Sequence, residues 1–376
     1  MRNNKRDPMK IMLRVTVSLV VLAVAASLLS GAIGSYRQQK LVARQKEVQQ
    51  INEQRDQEYA VALAEFERAS ASGANLAWPM QKSEGWDVVD LTNYPLENPG
   101  SITLTRQDLM YGGMLLVNQW HSRPDDFDDA GVVSIGNYTG GKIGVADYNV
   151  KLFPVAIAAL QDAIAGAKDA GYEHYMVSEG YRSWDDQNAL FQKAMDRLKS
   201  KYSGDALVEQ AKKSVNYPGT SEFNSGLSFT LRLYSRTDAS IGKPAYSTTA
   251  AGQWMSENCW KYGFVFRFPL ADFPLQGTAD KSYKTGISAE LNLYRYVGKG
   301  NAAVMHIKDF CMDEYVDYLQ EHPHIAVFED GVLKYEIYRQ YVGDETNEIS
   351  LNLTGRASQY TASLDNMGGV ITVFEY

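Results

Sequence analysis

Cysteine is almost missing from this chain: Cys259 and Cys311 are the only two in 376 residues, and no CxxC pair occurs. A thiolate zinc site needs such pairs, so that class is excluded by counting. Two cysteines leave open either one disulfide outside the cell or two buried thiols. Histidine is scarce too, with five in the chain: His121, His174, His306, His322 and His324. None belongs to an HExxH pattern, which removes the zinc proteases that carry two histidines one helical turn apart. No long basic run follows the first residues, and the formal net charge is -8. Phosphate binding needs a Lys/Arg face, so nucleic acid is not an expected partner. No internal repeat is visible. Charged residues at 22% and hydrophobic residues at 45% are ordinary for a globular protein of two or three structural units.

One long apolar run is present. Val15 to Gly34 carries no charge across 20 residues. A helix rising about 1.5 Å per residue crosses the hydrocarbon core with about 20 such residues. The apolar part of a cleaved signal peptide is shorter, about 7–15 residues. A retained anchor is therefore expected, with a cleaved signal as the alternative. Arg2, Lys5, Arg6, Lys10 and Arg14 precede the run, and Arg37, Lys40, Arg44 and Lys46 follow it. The positive-inside bias is slight and favours an internal N-terminus.

Residues 35–73 are rich in Gln, Glu, Arg and Ala, without Pro, and their one Gly is Gly73. That composition forms helix. Leu41, Val48 and Ile51 fit a heptad seam, but Arg55 and Glu58 then occupy it. A solvated helical stalk is expected, and a stalk-mediated homodimer is the sharper alternative.

Beyond Gly73 the pattern mixes helices and strands. Helical spacing runs over Val155–Ala170, Trp184–Leu198, Thr248–Tyr262 and Asp313–Glu321. Ser183 is a natural N-cap for the second, with Asp185 and Asp186 in its first turn, and Gly263 closes the third. Strands are expected at His174–Ser178, Leu227–Leu233, Phe264–Phe268 and Tyr294–Val297, with three more strand-like runs between Tyr335 and Tyr376. The fold class is α+β, helices on a mainly antiparallel sheet, with a small C-terminal β appendage. The expected division is a cytoplasmic basic segment 1–14, a transmembrane anchor 15–34, a stalk 35–73, a main domain 74–330 recognisable from about 110, and an extension 331–376.

Several segments, in order, resemble the zinc D-alanyl-D-alanine carboxypeptidases of the VanY type among the LAS peptidases. They are LLVNQWHSRPDDF (115–127), SEGYRSWDDQNALF (178–191), YPGTSEFNSGLSFTL (217–231), NCWKYGFVFRFP (258–269), TGISAELNLYRYVG (285–298) and MDEYVDYL (312–319), with DNMGGVITV (365–373) in the tail. The resemblance covers about residues 110 to 376 and implies a LAS-peptidase-like domain. It also implies a pattern S-x-H, then Asp seven positions after the His, then E-x-x-H. The two His and the Asp hold zinc, and the Glu takes a proton from zinc-bound water.

Mapped on that pattern, Ser221 is kept, but the three ligand positions hold Phe223, Thr230 and Leu293. Phe and Leu offer no lone pair, and a neutral Thr hydroxyl is a poor ligand. Glu290 keeps the position of the base, yet one carboxylate cannot hold zinc, and nothing then lowers the pKa of water. A general base alone gives only about 10²- to 10⁴-fold. No metal and no catalytic residue is expected. Arg182, Ser183 and Gln187 match the family's Y-R-S-x-x-x-Q, which implies that they and Ser221 hold a peptide's C-terminal end. The alternative for Arg182 is a framework ion pair with Glu290 or Glu179, while Arg295 and Tyr296 belong to the strand framework.

The expected function is therefore a catalytically inactive carboxypeptidase-like protein on the plasma membrane. A single pass would hold its C-terminal domain outside, where it binds a peptidoglycan stem peptide or an envelope protein. An active enzyme with an atypical site is one alternative, and a structural interaction domain with a plugged cleft is another. The mature protein is expected to keep Met1 to Gly34; N-terminal sequencing that begins near Ala32 would overturn the anchor.

Overall fold

The structure is a computed structural model that describes residues 78–79, 81–343 and 347–376. The expected anchor at 15–34 and stalk at 35–73, with its coiled-coil alternative, lie outside the described residues. No described helix is long and apolar enough to cross a membrane.

Two five-stranded sheets carry the domain. The strands in chain order are β1 (Trp86–Asp90), β2 (Gly100–Thr105), β3 (Val133–Ser134), β4 (Gly144–Val145), β5 (Lys151–Leu152), β6 (Tyr175–Glu179) and β7 (Ser228–Leu233). They continue with β8 (Phe264–Phe266), β9 (Leu293–Tyr296), β10 (His324–Glu329), β11 (Val332–Tyr341), β12 (Glu348–Leu353), β13 (Gln359–Leu364) and β14 (Gly369–Glu375). The first sheet has the order β4-β6-β7-β9-β8 and the second β1-β10-β11-β14-β13. Every pairing in them is antiparallel except β4 with β6. The fold is thus α+β on antiparallel sheets.

Period-2 alternation gives the first sheet two distinct faces. Val177, Phe229, Leu231, Tyr294 and Phe264 point one way and pack on the helices Pro154–Asp169 and Ala250–Asn258. The other face meets the helices Lys299–Lys308 and Met312–Glu321, which are packed between the two sheets. The second sheet turns Ile325, Val327, Ile337, Ile371 and Val373 toward those helices. Its outer face, with Ala326 and Phe328, is covered by Leu91 and Trp78.

The C-terminal segment is built differently from the expected small appendage. Residues 331–376 form four strands, β11 to β14, rather than three. Three of these complete the sheet that β1 and β10 begin, and β12 pairs with β2. The 74–110 stretch, which shows no resemblance of its own, supplies β1 and β2. The pairings join residues far apart in sequence, so neither segment shows its role alone.

Local signals held well where they were strong. The helix Trp184–Leu198 starts on Ser183, whose Oγ accepts from Asp186 N at 3.0 Å in a capping box. The helix expected to reach Tyr262 ends at Asn258 and tightens into a 3₁₀ turn over Cys259–Tyr262, closed by Gly263 at φ +85°. Cys259 and Cys311 are both buried and unpaired.

Between the first sheet and the Met312–Glu321 helix lies a buried ion network. Glu222 accepts from Arg267 Nε at 2.8 Å, from Ser228 Oγ at 2.8 Å and from Arg295 Nη1. Arg267 Nη1 also donates to Asp313 at 2.6 Å, and Asp313 accepts from Asn118 Nδ2 at 2.8 Å. Arg295 Nη2 donates to the carbonyls of Gly113 and Leu115. Gly113, at φ +119°, lies so close to Val297 that an added Cβ would stand 2.9 Å from its backbone. A glycine is needed there for the carbonyl to reach Arg295. Burial alone would raise the Glu222 carboxyl, but the charges of Arg267 and Arg295 outweigh it and hold it below the usual range.

Removing one member of such a network leaves a buried charge uncompensated. Glu222→Ala is expected to cost about 3–5 kcal/mol, read as a lower urea midpoint. A carboxyl depressed on folding contributes its stability fully above its unfolded value, near 4.5, and loses it as pH falls below that. Wild-type stability should therefore drop in acid more steeply than that of the Glu222→Ala variant.

Candidate functional site

The site starts from the register of the first sheet. Glu179 pairs with Thr230, and Thr230 pairs with Leu293, so the three lie in one row across β6, β7 and β9. Residues directly opposite in antiparallel strands share a face. Above this row sits the turn Glu222–Ser225, a 3₁₀ turn held by Gly226 at φ +70°. Strand alternation would have sent Glu222 and Asn224 to the face opposite Phe223. The turn sends the three side chains in separate directions: Glu222 enters the ion network, and Asn224 Nδ2 donates to the carbonyls of Arg182 and Ser183. Phe223 packs with Leu293, Phe268 and Ile287 in a small apolar cluster. Phe223 thus meets Leu293, whose partner across the sheet is Thr230, and Phe223 and Leu293 are 8% and 1% exposed.

The polar residues around this cluster hold one another. The Arg182 guanidinium lies over the Phe223 ring at 4.2 Å. It donates to Glu179 and, through Nη1, to Gln187 Oε1 at 3.2 Å. Glu179 rather than Glu290 is its ionic partner. Gln187 is buried, and its Nε2 donates to Asn216 O at 2.8 Å. Ser183 is spent as a helix cap. Ser221 is buried, with its N–H donating to Asn224 Oδ1 at 3.2 Å. Glu290 stands apart: it is exposed on the loop before β9, and its side chain has no partner among the described residues.

The zinc that the family resemblance implies does not fit the residues at its three positions. Phe223 and Leu293 present only carbon, and the aromatic and aliphatic side chains fill the space in which ligands would converge. Among the described residues, no group of three or more His, Cys, Asp or Glu is arranged to hold a metal ion.

Sequence reasoning placed Arg295 in the strand framework, and it lies there. It did not find Arg267, Asp313 or the role of Glu222. A signal was available: Arg267 follows the strand FVF and precedes Phe268, and Arg295 sits within the strand LYRY, both among apolar residues, where an arginine is buried only if it is paired.

The family model described as VanY, D-alanyl-D-alanine carboxypeptidase, matches residues 149–299. A D-alanyl-D-alanine carboxypeptidase of Enterococcus faecium is 30% identical over 282 residues, which is 74% of this chain and 80% of that protein. One from Enterococcus faecalis is 27% identical over 226 residues, 59% of this chain and 73% of that protein. Among solved structures, the vancomycin-resistance D,D-dipeptidase VanXYg, in complex with a D-Ala-D-Ala phosphinate analogue, superposes with a TM-score of 0.55 at 22% identity. It covers 74% of this chain and 99% of its own. That likeness concerns the fold. The chain belongs to the VanY D-alanyl-D-alanine carboxypeptidase family.

The packing separates two roles at neighbouring positions. Leu293→Ala opens a cavity in the cluster and is expected to cost about 2–5 kcal/mol. Glu290→Ala, three residues away, changes an exposed side chain and should stay within about 0.5 kcal/mol. Parallel urea titrations of the two variants check both values.

Proposed function

We propose that this chain is a non-catalytic member of its family, a binding module for a peptidoglycan stem peptide or an envelope protein at the outer face of the plasma membrane. The observation that carries the reading is the apolar contact of Phe223 with Leu293, two of the three positions where the family pattern requires metal ligands, in a cluster that Phe268 completes. With no metal there, Glu290 has no bound water to deprotonate, and a lone general base supplies only about 10²- to 10⁴-fold. Purified full-length protein is expected to carry no stoichiometric zinc and to release no D-alanine from a peptide ending in D-Ala-D-Ala. One zinc per chain together with D-alanine release would establish an active enzyme instead.

A second reading has its own support. Arg182 is already paired with Glu179 and Gln187 and covers Phe223, which favours a plugged cleft over one that takes a peptide carboxylate. A titration with a peptide ending in D-Ala-D-Ala separates the two. If the cleft binds, Arg182→Ala should weaken binding by about 2–5 kcal/mol where the pair is desolvated. If Arg182 only ties the frame together, wild type shows no binding. The substitution then lowers stability by about 1–3 kcal/mol, because the buried Gln187 loses its partner.

A further inference from the structure

Two indoles stand exposed beside the plugged cluster. Trp120 is 47% and Trp184 is 44% exposed, and neither makes a ring contact among the described residues. Both line one groove of about 560 Å³, whose floor is Pro218 and Gly219. A second hollow of about 500 Å³ adjoins it across the loop from Trp120 to Asp125 and also includes Trp120. The groove is preformed. Arg123 N donates to Gly219 O at 2.7 Å, and Trp120 N donates to Asn118 Oδ1 at 2.9 Å, which ties the loop to the buried ion network. Gly219, at φ +82°, holds a backbone conformation that favours glycine and lies beside the Trp184 ring and Ser122.

Arg123 and Thr220 of the lining are bonded within the protein, to Tyr181 and to the Tyr217 carbonyl, but three other polar side chains are not. The side chains of Gln119, Ser122 and Asp125 line the groove and have no hydrogen bond or ion pair among the described residues. Together they offer donors and acceptors of both kinds. One recurring way to hold an extended peptide is backbone pairing to a free strand edge. No strand lines this groove; its residues come from loops and from the first residue of one helix. Exposed indoles with mixed hydrogen-bonding side chains between them suit a pyranose, which has a flat C–H face and hydroxyls at its edge.

We propose that this groove binds a saccharide chain, with sugar rings stacked on Trp120 and Trp184 and hydroxyls held by Gln119, Ser122 and Asp125. The two adjoining hollows suit a run of several sugars rather than one. The choice of an amino-sugar polymer as the occupant rests on the cell-wall reading above; the chemistry of the groove does not.

The test is calorimetric titration of the full-length protein with the dimer and the tetramer of β-linked N-acetylglucosamine. The tetramer should bind more tightly than the dimer. Trp120→Ala and Trp184→Ala should each weaken binding by roughly threefold to tenfold, while Trp184→Phe keeps most of it. Thermal melts of the variants should match wild type, since both side chains are exposed. Absence of tetramer binding, or binding that neither tryptophan affects, overturns the inference. Binding of a D-Ala-D-Ala peptide without saccharide binding overturns it too and leaves the peptide reading standing. Saccharide binding without peptide binding supports it and removes the stem peptide as the ligand.

Discussion

The Glu222 carboxylate, buried between two arginines, is the contact on which the site depends. It fixes the turn that carries Phe223, it joins β8 to β9 through Arg267 and Arg295, and through Arg267 it reaches the Met312–Glu321 helix at Asp313. Arg295 extends the same network to the carbonyls of Gly113 and Leu115, and Asn118 extends it from Asp313. Two acids and two arginines balance in charge, which is the condition under which such burial is tolerated. A frame of this kind positions a site independently of what fills it. The ligand positions can therefore change from polar to apolar while the backbone around them keeps its course.

The apolar cluster follows from that frame. An unfilled space at these positions would be a void, and a void in a packed interior costs contacts on every wall. Phe223 and Leu293 are large enough to fill it, and Phe268 and Ile287 complete the cluster. Arg182 then meets an aromatic face instead of an empty cleft, an attraction that holds the guanidinium in place.

Much of this was legible in the sequence, for identifiable reasons. The helix Trp184–Leu198 was marked by Ser183 and Asp186, a signal contained within four residues. Motif spacing anticipated that Thr230 and Leu293 pair, which the register of β7 against β9 carries, and that Phe223 meets Leu293, which the turn before β7 carries. The second sheet was not legible as a unit: β1 and β10 belong to one ladder but are separated by most of the domain. The partners of Arg267 were missed because Glu222 and Asp313 lie 45 and 46 positions away in sequence, and only the fold brings them to it. The Trp120 and Trp184 groove was missed because two separate loop segments and the start of a helix make it, and loops carry no period.

The second sheet also sets the order in which the chain can close. Gly85 donates to Asp330, 245 positions further on, and the β1–β10 and β2–β12 pairs span comparable loops. Such contacts can form only after the intervening chain has been laid down, and long-range antiparallel pairing is slow. Until β14 arrives, β11 presents an open edge to its surroundings, and such an edge recruits foreign strands. Maturation of this domain therefore ends with β14, and a truncation that spares Arg182, Ser221 and Leu293 but removes β14 would still leave the sheet unsealed.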